Sequence, residues 1–478
     1  MSVTIAYAIY ASSRPIEVSV RLTDEIIGVV HVAVSSDGQY VAAASGDTGV
    51  YVFTEGTLLW HDRPKTGEGI KSIVISSNGE YVAAGQDDET NTGRATVYLY
   101  AARNGTQLWS YDTRGLVWSV DVSSNGSYIV AGSWDHNVYL FSKDSGKPLW
   151  NYQARDGFRS VAISSDGQYI AAAGYSGLYM FNRDSGEPMW NYSQYGAFST
   201  VAISSDGQYV AAGSSGDYSV LLLRRDGAVL WRNPTKGEPL SVAISSDGQY
   251  VVAGSGVPAN DVRLFTRDNS HIWTYPVGEP VESIAISSDD RYIMTGSADN
   301  IARLFRRDNE NPIWSKHFNN VVWSVALSSN GQSIAIGAAG YVYAYGISLS
   351  PIPFYAGALI GVVDLSAVAI LAWIHFPAAR YLWLCLKRGS FRNAVFGTLA
   401  VAGYVSGFSG SIWRIIVHAL GITPVLTAGL TLIFCPFIVL LLFPKRSQHT
   451  AISAGLGSVF AIGMISGAIS VLALVGAI

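Results

Sequence analysis

The sequence predicts an all-β eight-bladed propeller closed by its N-terminal strand, followed by an all-α transmembrane domain of four helices. Three observations carry this expectation. A Ser-Ser-(Asp/Asn)-(Gly/Asp) core recurs eight times, starting at Ser35, Ser76, Ser123, Ser164, Ser204, Ser245, Ser287 and Ser328, in steps of 40 to 47 residues. Each copy holds short apolar runs separated by turn residues, and a period of about 40–45 residues with strand-like units is that of a propeller, one blade per repeat. From residue 355 the chain turns almost wholly apolar, in four segments (355–376, 394–419, 421–443 and 451–478). Each has the ~20 residues that span a bilayer.

The elements follow in chain order. Residues 1–15 (MSVTIAYAIYASSRP) have two readings: an N-terminal tail, or the remnant of an export signal whose basic n-region is missing. Residues Ile16 to Leu22 alternate in polarity, and the eighth repeat has three strands where the others have four. The N-terminal strand is therefore expected to complete blade eight and remove the open edge.

Within each repeat the grammar is constant. In the fourth copy, Val161 and Ile163 alternate with Ser160 and Ala162 as strand a, and Ser-Asp-Gly then supplies a turn. Tyr169 to Ala173 form strand b, Leu178 to Phe181 strand c, and a strand d closes on Met189-Trp190. Such a small sheet cannot bury both faces alone, so the blades must pack on one another around an axis. The propeller is assigned to 16–346, a linker to 347–354 and the transmembrane domain to 355–478.

Departures from the repeat carry the functional information. Blade two has extra residues at Gln86 to Ala95 and His61 to Gly69, and blade six at Gly256 to Asp261. These are b-to-c and d-to-a connections, which leave a propeller on one face, here named the top. Five residues before each Ser-Ser pair stand Val30, Lys71, Trp118, Arg159, Ser199, Leu240, Glu282 and Trp323, a position that samples charged, aromatic and small side chains. Lys71, Trp118, Arg159, Glu282 and Trp323 are the candidate partner-binding residues, since Trp and Arg are favoured interface anchors. At the bottom, the c-to-d turns carry Arg103, Lys143, Arg183, Arg225, Arg267 and Arg307, a basic ring suited to anionic headgroups. The linker reaches at most ~28 Å, so this bottom face is expected to face the membrane.

Charge is unevenly shared. The tail from 355 holds seven of the 31 Lys and Arg residues and one of the 35 Asp and Glu residues. The remainder therefore carries 24 and 34, a net charge of about −10, which argues against nucleic acid as a partner. Both cysteines, Cys385 and Cys435, lie in the tail, so the propeller has no disulfide. Its histidines are scattered over different blades without metal spacing, and no nucleophile elbow or phosphate loop is present. Neither a cofactor nor an enzymatic activity is expected.

Several residues resemble known propeller families. The b-to-c turn aspartates Asp47, Asp135, Asp217, Asp261 and Asp299, with the literal Trp134-Asp135, resemble WD repeats. The segments Lys143 to Trp150 and Arg183 to Trp190 resemble pyrroloquinoline-quinone-type propellers, which commonly have eight blades. The WD resemblance implies an interaction platform; the quinoprotein resemblance implies, as a second reading, a dehydrogenase. The Gly-His pair of WD repeats and the adjacent cysteine pair of quinone dehydrogenases are both absent.

In the tail, Arg380, Lys387, Arg388, Arg392, Lys445 and Arg446 all lie between spans one and two or three and four. Basic loops stay cytoplasmic, which places the propeller outside. Asp364 and Arg414 are expected to pair within the membrane, where an unpaired charge is costly. They are also the hints for a third reading, a transport or sensor unit. Gly357-x-x-x-Gly361, Gly403-x-x-x-Gly407 and Gly463-x-x-x-Gly467 suit close helix packing, within the chain or between copies. The favoured reading is a membrane-tethered propeller that binds a protein partner through its top face.

Overall fold

A computed structural model of the chain describes residues 16–349, except 27, 29, 47, 48, 64–68, 88–92, 194, 195 and 339. The four apolar segments, with the expected Asp364–Arg414 pair, lie outside the described residues. Among the described residues no helix is long and apolar enough to cross a membrane.

The described residues form 32 strands in eight four-stranded antiparallel sheets, an eight-bladed propeller. Seven blades run a-b-c-d in chain order. In blade eight, strands Val322–Leu327, Ser333–Ala338 and Tyr341–Leu349 are joined by the N-terminal strand Ile16–Glu25. That strand pairs with Tyr341–Leu349 from Ile16↔Leu349 to Glu25↔Tyr341. Leu22 and Ile26 are buried where it meets the neighbouring blade. Closure follows the expectation, with the closing strand three residues longer than read from polarity. Strand c of blade eight also runs on to Leu349, through the first three residues assigned to the linker.

The repeated Ser-Ser turn has a physical explanation in each blade. The first serine is fully buried, and its hydroxyl donates to the Asp or Asn two residues on, as Ser164 Oγ does to Asp166 Oδ1 at 2.6 Å. The same hydroxyl accepts the N–H of the residue five on, as from Tyr169 at 3.0 Å. A buried hydroxyl is thereby satisfied while it joins strand a to strand b. In six blades the second serine links to the next: its N–H donates to the second serine's carbonyl there, as Ser165 does to Ser205, and in blade two the N–H of Asn78 donates to the Ser124 carbonyl instead. The bond from Ser329 to Ser36 carries this ring from blade eight back to blade one.

Tryptophan is the middle of strand d rather than its end. In blade four strand d is Pro188–Tyr192, so two residues follow Trp190. The indole packs toward the next blade and its Nε1–H donates to a carbonyl in that blade's c-to-d turn. Trp60, Trp109, Trp150, Trp190, Trp231 and Trp273 bond to Ala102, Lys143, Arg183, Arg225, Arg267 and Arg307 at 2.6–3.1 Å. The side chain thus buries apolar area and satisfies its one donor across the blade boundary.

Candidate functional site

The bottom basic ring is built into the blade boundaries. Arg183, Arg225, Arg267 and Arg307 lie over Tyr128, Tyr169, Tyr209 and Tyr250 of the preceding blade, 4.5–4.9 Å from each ring centroid. Lys143 and Arg183 also pair with their neighbours Asp144 and Asp184. Arg103 sits in the corresponding turn of blade two. Cation–π stacking of this kind contributes roughly 0.5–1 kcal/mol at exposed sites. Most of these cations therefore already serve the fold.

Around the axis, strand a carries a second inter-blade ring. A Ser or Thr hydroxyl four residues before the Ser-Ser pair accepts a backbone N–H from the next blade, as Ser119 accepts Val161 N–H at 3.2 Å. Six other blades repeat it, from Ser324 to Val32 through Ser283 to Val325. Blade one has His31 at this position. Burial, with the nearby Lys71 charge, pushes its imidazole down to about 4, so it is neutral at pH 7. Two residues further on, where the other blades carry Ala or Val, blade three carries Asp121. Its carboxylate accepts the N–H groups of Val122 and of Ile163 in blade four, each at 2.8 Å. Burial pushes it up to about 6, outweighing those two bonds.

The varied position at the top of strand a is a β-bulge. The a-to-b register shifts between Phe158 and Ser160, leaving Arg159 as the extra residue. Lys71, Trp118, Ser199, Leu240, Glu282 and Trp323 stand in the same shift. Blade one shows no shift, Val30 pairing directly with Ser45. A bulged residue leaves the ladder and its side chain is re-aimed. This frees it from the packing that fixes the residues two and four further on as Val, Ile or, at 327, Leu.

Three of the five rim candidates come together. Lys71 Nζ lies 4.8 Å from the Trp118 ring centroid, and Arg159 Cζ lies 5.7 Å from it. Trp118 also meets Trp134 at 6.1 Å, and Trp134 meets Tyr175 edge-on at 5.4 Å. Arg159 reaches past blade five to Glu238 at 3.5 Å, since blade five has only the small Ser199 at its bulge. Glu282 and Trp323 belong to blades seven and eight, outside this cluster; burial raises the Glu282 carboxyl above its ordinary value. Trp134 and Tyr175, just past the ends of strand b in blades three and four, complete the patch but were not among the sequence candidates. Aromatic residues in b-to-c turns that are otherwise Gly, Ser and Asp were the available signal. Comparison of the copies would equally have found His31 and Asp121.

The turn aspartates have local partners. Asp135 accepts the Tyr139 hydroxyl and the N–H of Arg114. Asp217, Asp261 and Asp299 pair with Arg232, Arg263 and Arg303. Asp47 lies outside the described residues. Among the described residues no three His, Cys, Asp or Glu side chains are grouped to hold a metal ion. With no adjacent cysteine pair in the chain and no such group of carboxylates among the described residues, the residues present do not fit a quinone with its calcium.

The fold is an eight-bladed propeller with one sequence repeat per blade. Residues 93–316 match the family model described as outer membrane protein assembly factor BamB. No curated protein matches the chain. Among solved structures, the crystal structure of the computationally designed Ika8 protein is similar over 69% of this chain and 99% of its own. It has 14% identity and a TM-score of 0.59, a likeness of fold alone.

Proposed function

We propose that this protein is a membrane-tethered platform that docks or assembles a protein partner through the top face of its propeller. The observation that carries the reading is the cluster of Lys71, Trp118, Arg159, Trp134 and Tyr175. It sets two exposed aromatic rings beside the partly buried Lys71, Trp118 and Arg159 on the ends of rigid strands, and Trp, Tyr and Arg are the residues that dominate interface energies. Trp134 is 44% and Tyr175 41% exposed. The similarity to a family described by outer-membrane protein assembly supports a role of the same kind. Tethering rests on the four apolar segments, and an extracytoplasmic propeller on the basic loops between them. The bottom ring, Arg103 to Arg307, is secondary for partner binding because most of its members stack within the fold. Photo-crosslinking in native membranes tests the reading, with a crosslinker placed at Trp134 or at Lys147 on the outer wall of blade three. A protein adduct from position 134 and none from 147 is expected; the reverse pattern overturns it. Protease digestion of sealed vesicles checks the orientation, since a propeller cleaved only after the cytoplasmic face is opened contradicts it.

A further inference from the structure

We propose that the partner presents an acidic peptide segment to this patch, with a carboxylate seated between Lys71 and Arg159 beside Trp118 and a neighbouring apolar side chain against Trp134 and Tyr175. The inference rests on the platform reading and names the chemistry of what the platform holds.

Four observations lead there. Two positive charges converge on one indole, Lys71 at 4.8 Å and Arg159 at 5.7 Å from its centroid. Neither charge is strongly neutralised. Lys71 has no carboxylate partner among the described residues, and the Arg159–Glu238 contact is long at 3.5 Å between side chains 29% and 32% exposed. A pair of that kind contributes roughly 0–1 kcal/mol, so an incoming carboxylate can compete for Arg159. The patch is also not part of the blade-stapling system. Six strand-d tryptophans donate Nε1–H to a carbonyl of the next blade, whereas Trp118 Nε1–H is buried without an acceptor. Trp118 is therefore held by its ring contacts, with Lys71 of blade two and Arg159 of blade four beside its ring. Lastly, Trp134 and Tyr175 form an exposed edge-on pair, and Arg159 lies 5.9 Å from the Tyr175 centroid. An apolar ledge thus adjoins the charged seat.

Charge complementarity selects the occupant. The bulge positions of blades two, three and four are cationic and aromatic, while the acidic member of the set, Glu282, is on blade seven across the opening. The propeller as a whole is acidic, so an extended polyanion such as nucleic acid is repelled over most of its length. A short acidic segment with an apolar neighbour meets the local positive seat and little else.

The test uses the full-length chain in detergent micelles and three fluorescein-labelled dodecapeptides. They share alternating Phe and Gly, and the remaining positions are all Glu, all Gln or all Lys. By anisotropy, the Glu peptide is expected to bind at least tenfold more tightly than the Gln peptide, and the Lys peptide not at all. Affinity for the Glu peptide should fall as salt is raised, since exposed charges are screened. Lys71→Gln and Arg159→Gln should each weaken it about fivefold, with unchanged circular dichroism. Equal binding of Glu and Gln peptides, no binding of the Glu peptide up to millimolar concentration, or indifference to both substitutions overturns the inference. If acid selectivity is absent while position 134 still crosslinks a partner, the peptide chemistry fails and the platform stands. If position 134 crosslinks nothing, the platform itself fails.

Discussion

Replacing Asp290 by glycine should stabilise the protein. Seven of the eight Ser-Ser turns carry glycine at this point, and blade seven has Asp290. The glycines are there for two reasons, visible at Gly167. Its φ is +72°, and an added Cβ would stand 2.6 Å from Tyr128 of the preceding blade. Asp290 takes the same left-handed conformation at φ 59°, and one of its carboxylate oxygens is buried with no hydrogen-bond partner. Burial, with the nearby Asp247 charge, pushes its carboxyl up to about 6, against the pull of Arg307. Relief of a left-handed side chain is worth about 1 kcal/mol, and removal of an unpartnered buried oxygen about 1–3 kcal/mol. The greater freedom of glycine in the unfolded chain costs about 0.5–1 kcal/mol in return. The expected net gain is about 2 kcal/mol at pH 7.5. Because the folded carboxyl is raised, its contribution to wild-type stability is complete below the unfolded value of 3.8 and lost as pH rises through about 6. The advantage of Asp290→Gly should therefore shrink at pH 4.5, leaving the conformational part. Urea unfolding of the full-length chain in micelles, followed by fluorescence at both pH values, measures it. A destabilised Asp290→Gly at pH 7.5, or an advantage that grows toward pH 4.5, refutes the reasoning.

Further expectations come from the same geometry. Gly167→Ala should cost about 3 kcal/mol, from the left-handed φ and the Tyr128 collision together, read as a fall in urea midpoint. Trp150→Phe keeps an aromatic ring, but a smaller one, and loses the 2.7 Å bond to the Arg183 carbonyl, so it should cost at least about 1–2 kcal/mol. Asp121→Asn should flatten the pH dependence: wild-type stability is lost as pH rises through about 6, and the variant lacks that fall in thermal scans between pH 4.5 and 7.5. His31→Ser acts in the opposite direction. The depressed imidazole withdraws wild-type stability as pH falls from 6.5 toward about 4, so the serine variant should gain most at pH 4.5. Deleting residues 1–25 removes the strand paired with Tyr341–Leu349 and exposes that edge, so aggregation in size-exclusion chromatography is expected, and a deletion that melts like the parent contradicts closure.

The sequence was most legible where physics repeats. Buried Ser35, Ser76 and their six counterparts make the same two bonds in each blade, so their spacing reported the blade count directly. The incomplete eighth repeat and the alternating Ile16 to Leu22 similarly foretold closure. What depends on contact between blades was less visible. Arg183 reads as a solvent-exposed turn cation until Tyr128, far away in sequence, appears beneath it. Likewise Lys71, Trp118 and Arg159 were picked out by variation, but only the bulge shows why they vary and only the ring brings them onto one indole. Trp134 drew notice as half of a motif, whereas its ring contacts with Trp118 and Tyr175 give it a place in the patch. Asp121 and His31 break the repeat as plainly as any rim residue, and were hidden because they sit lower on strand a, where small residues suggested nothing but packing.

The most direct test of the platform is a quantitative co-purification from native membranes, comparing wild type with two variants that carry substitutions on opposite faces. One variant combines Trp118→Ala with Trp134→Ala; the other combines Arg103→Gln with Lys143→Gln at the bottom. Mass spectrometry should recover one partner at equal stoichiometry with wild type and the bottom variant, and at least tenfold less with the top variant. Retention of that partner by the top variant, with loss from the bottom variant, contradicts the account.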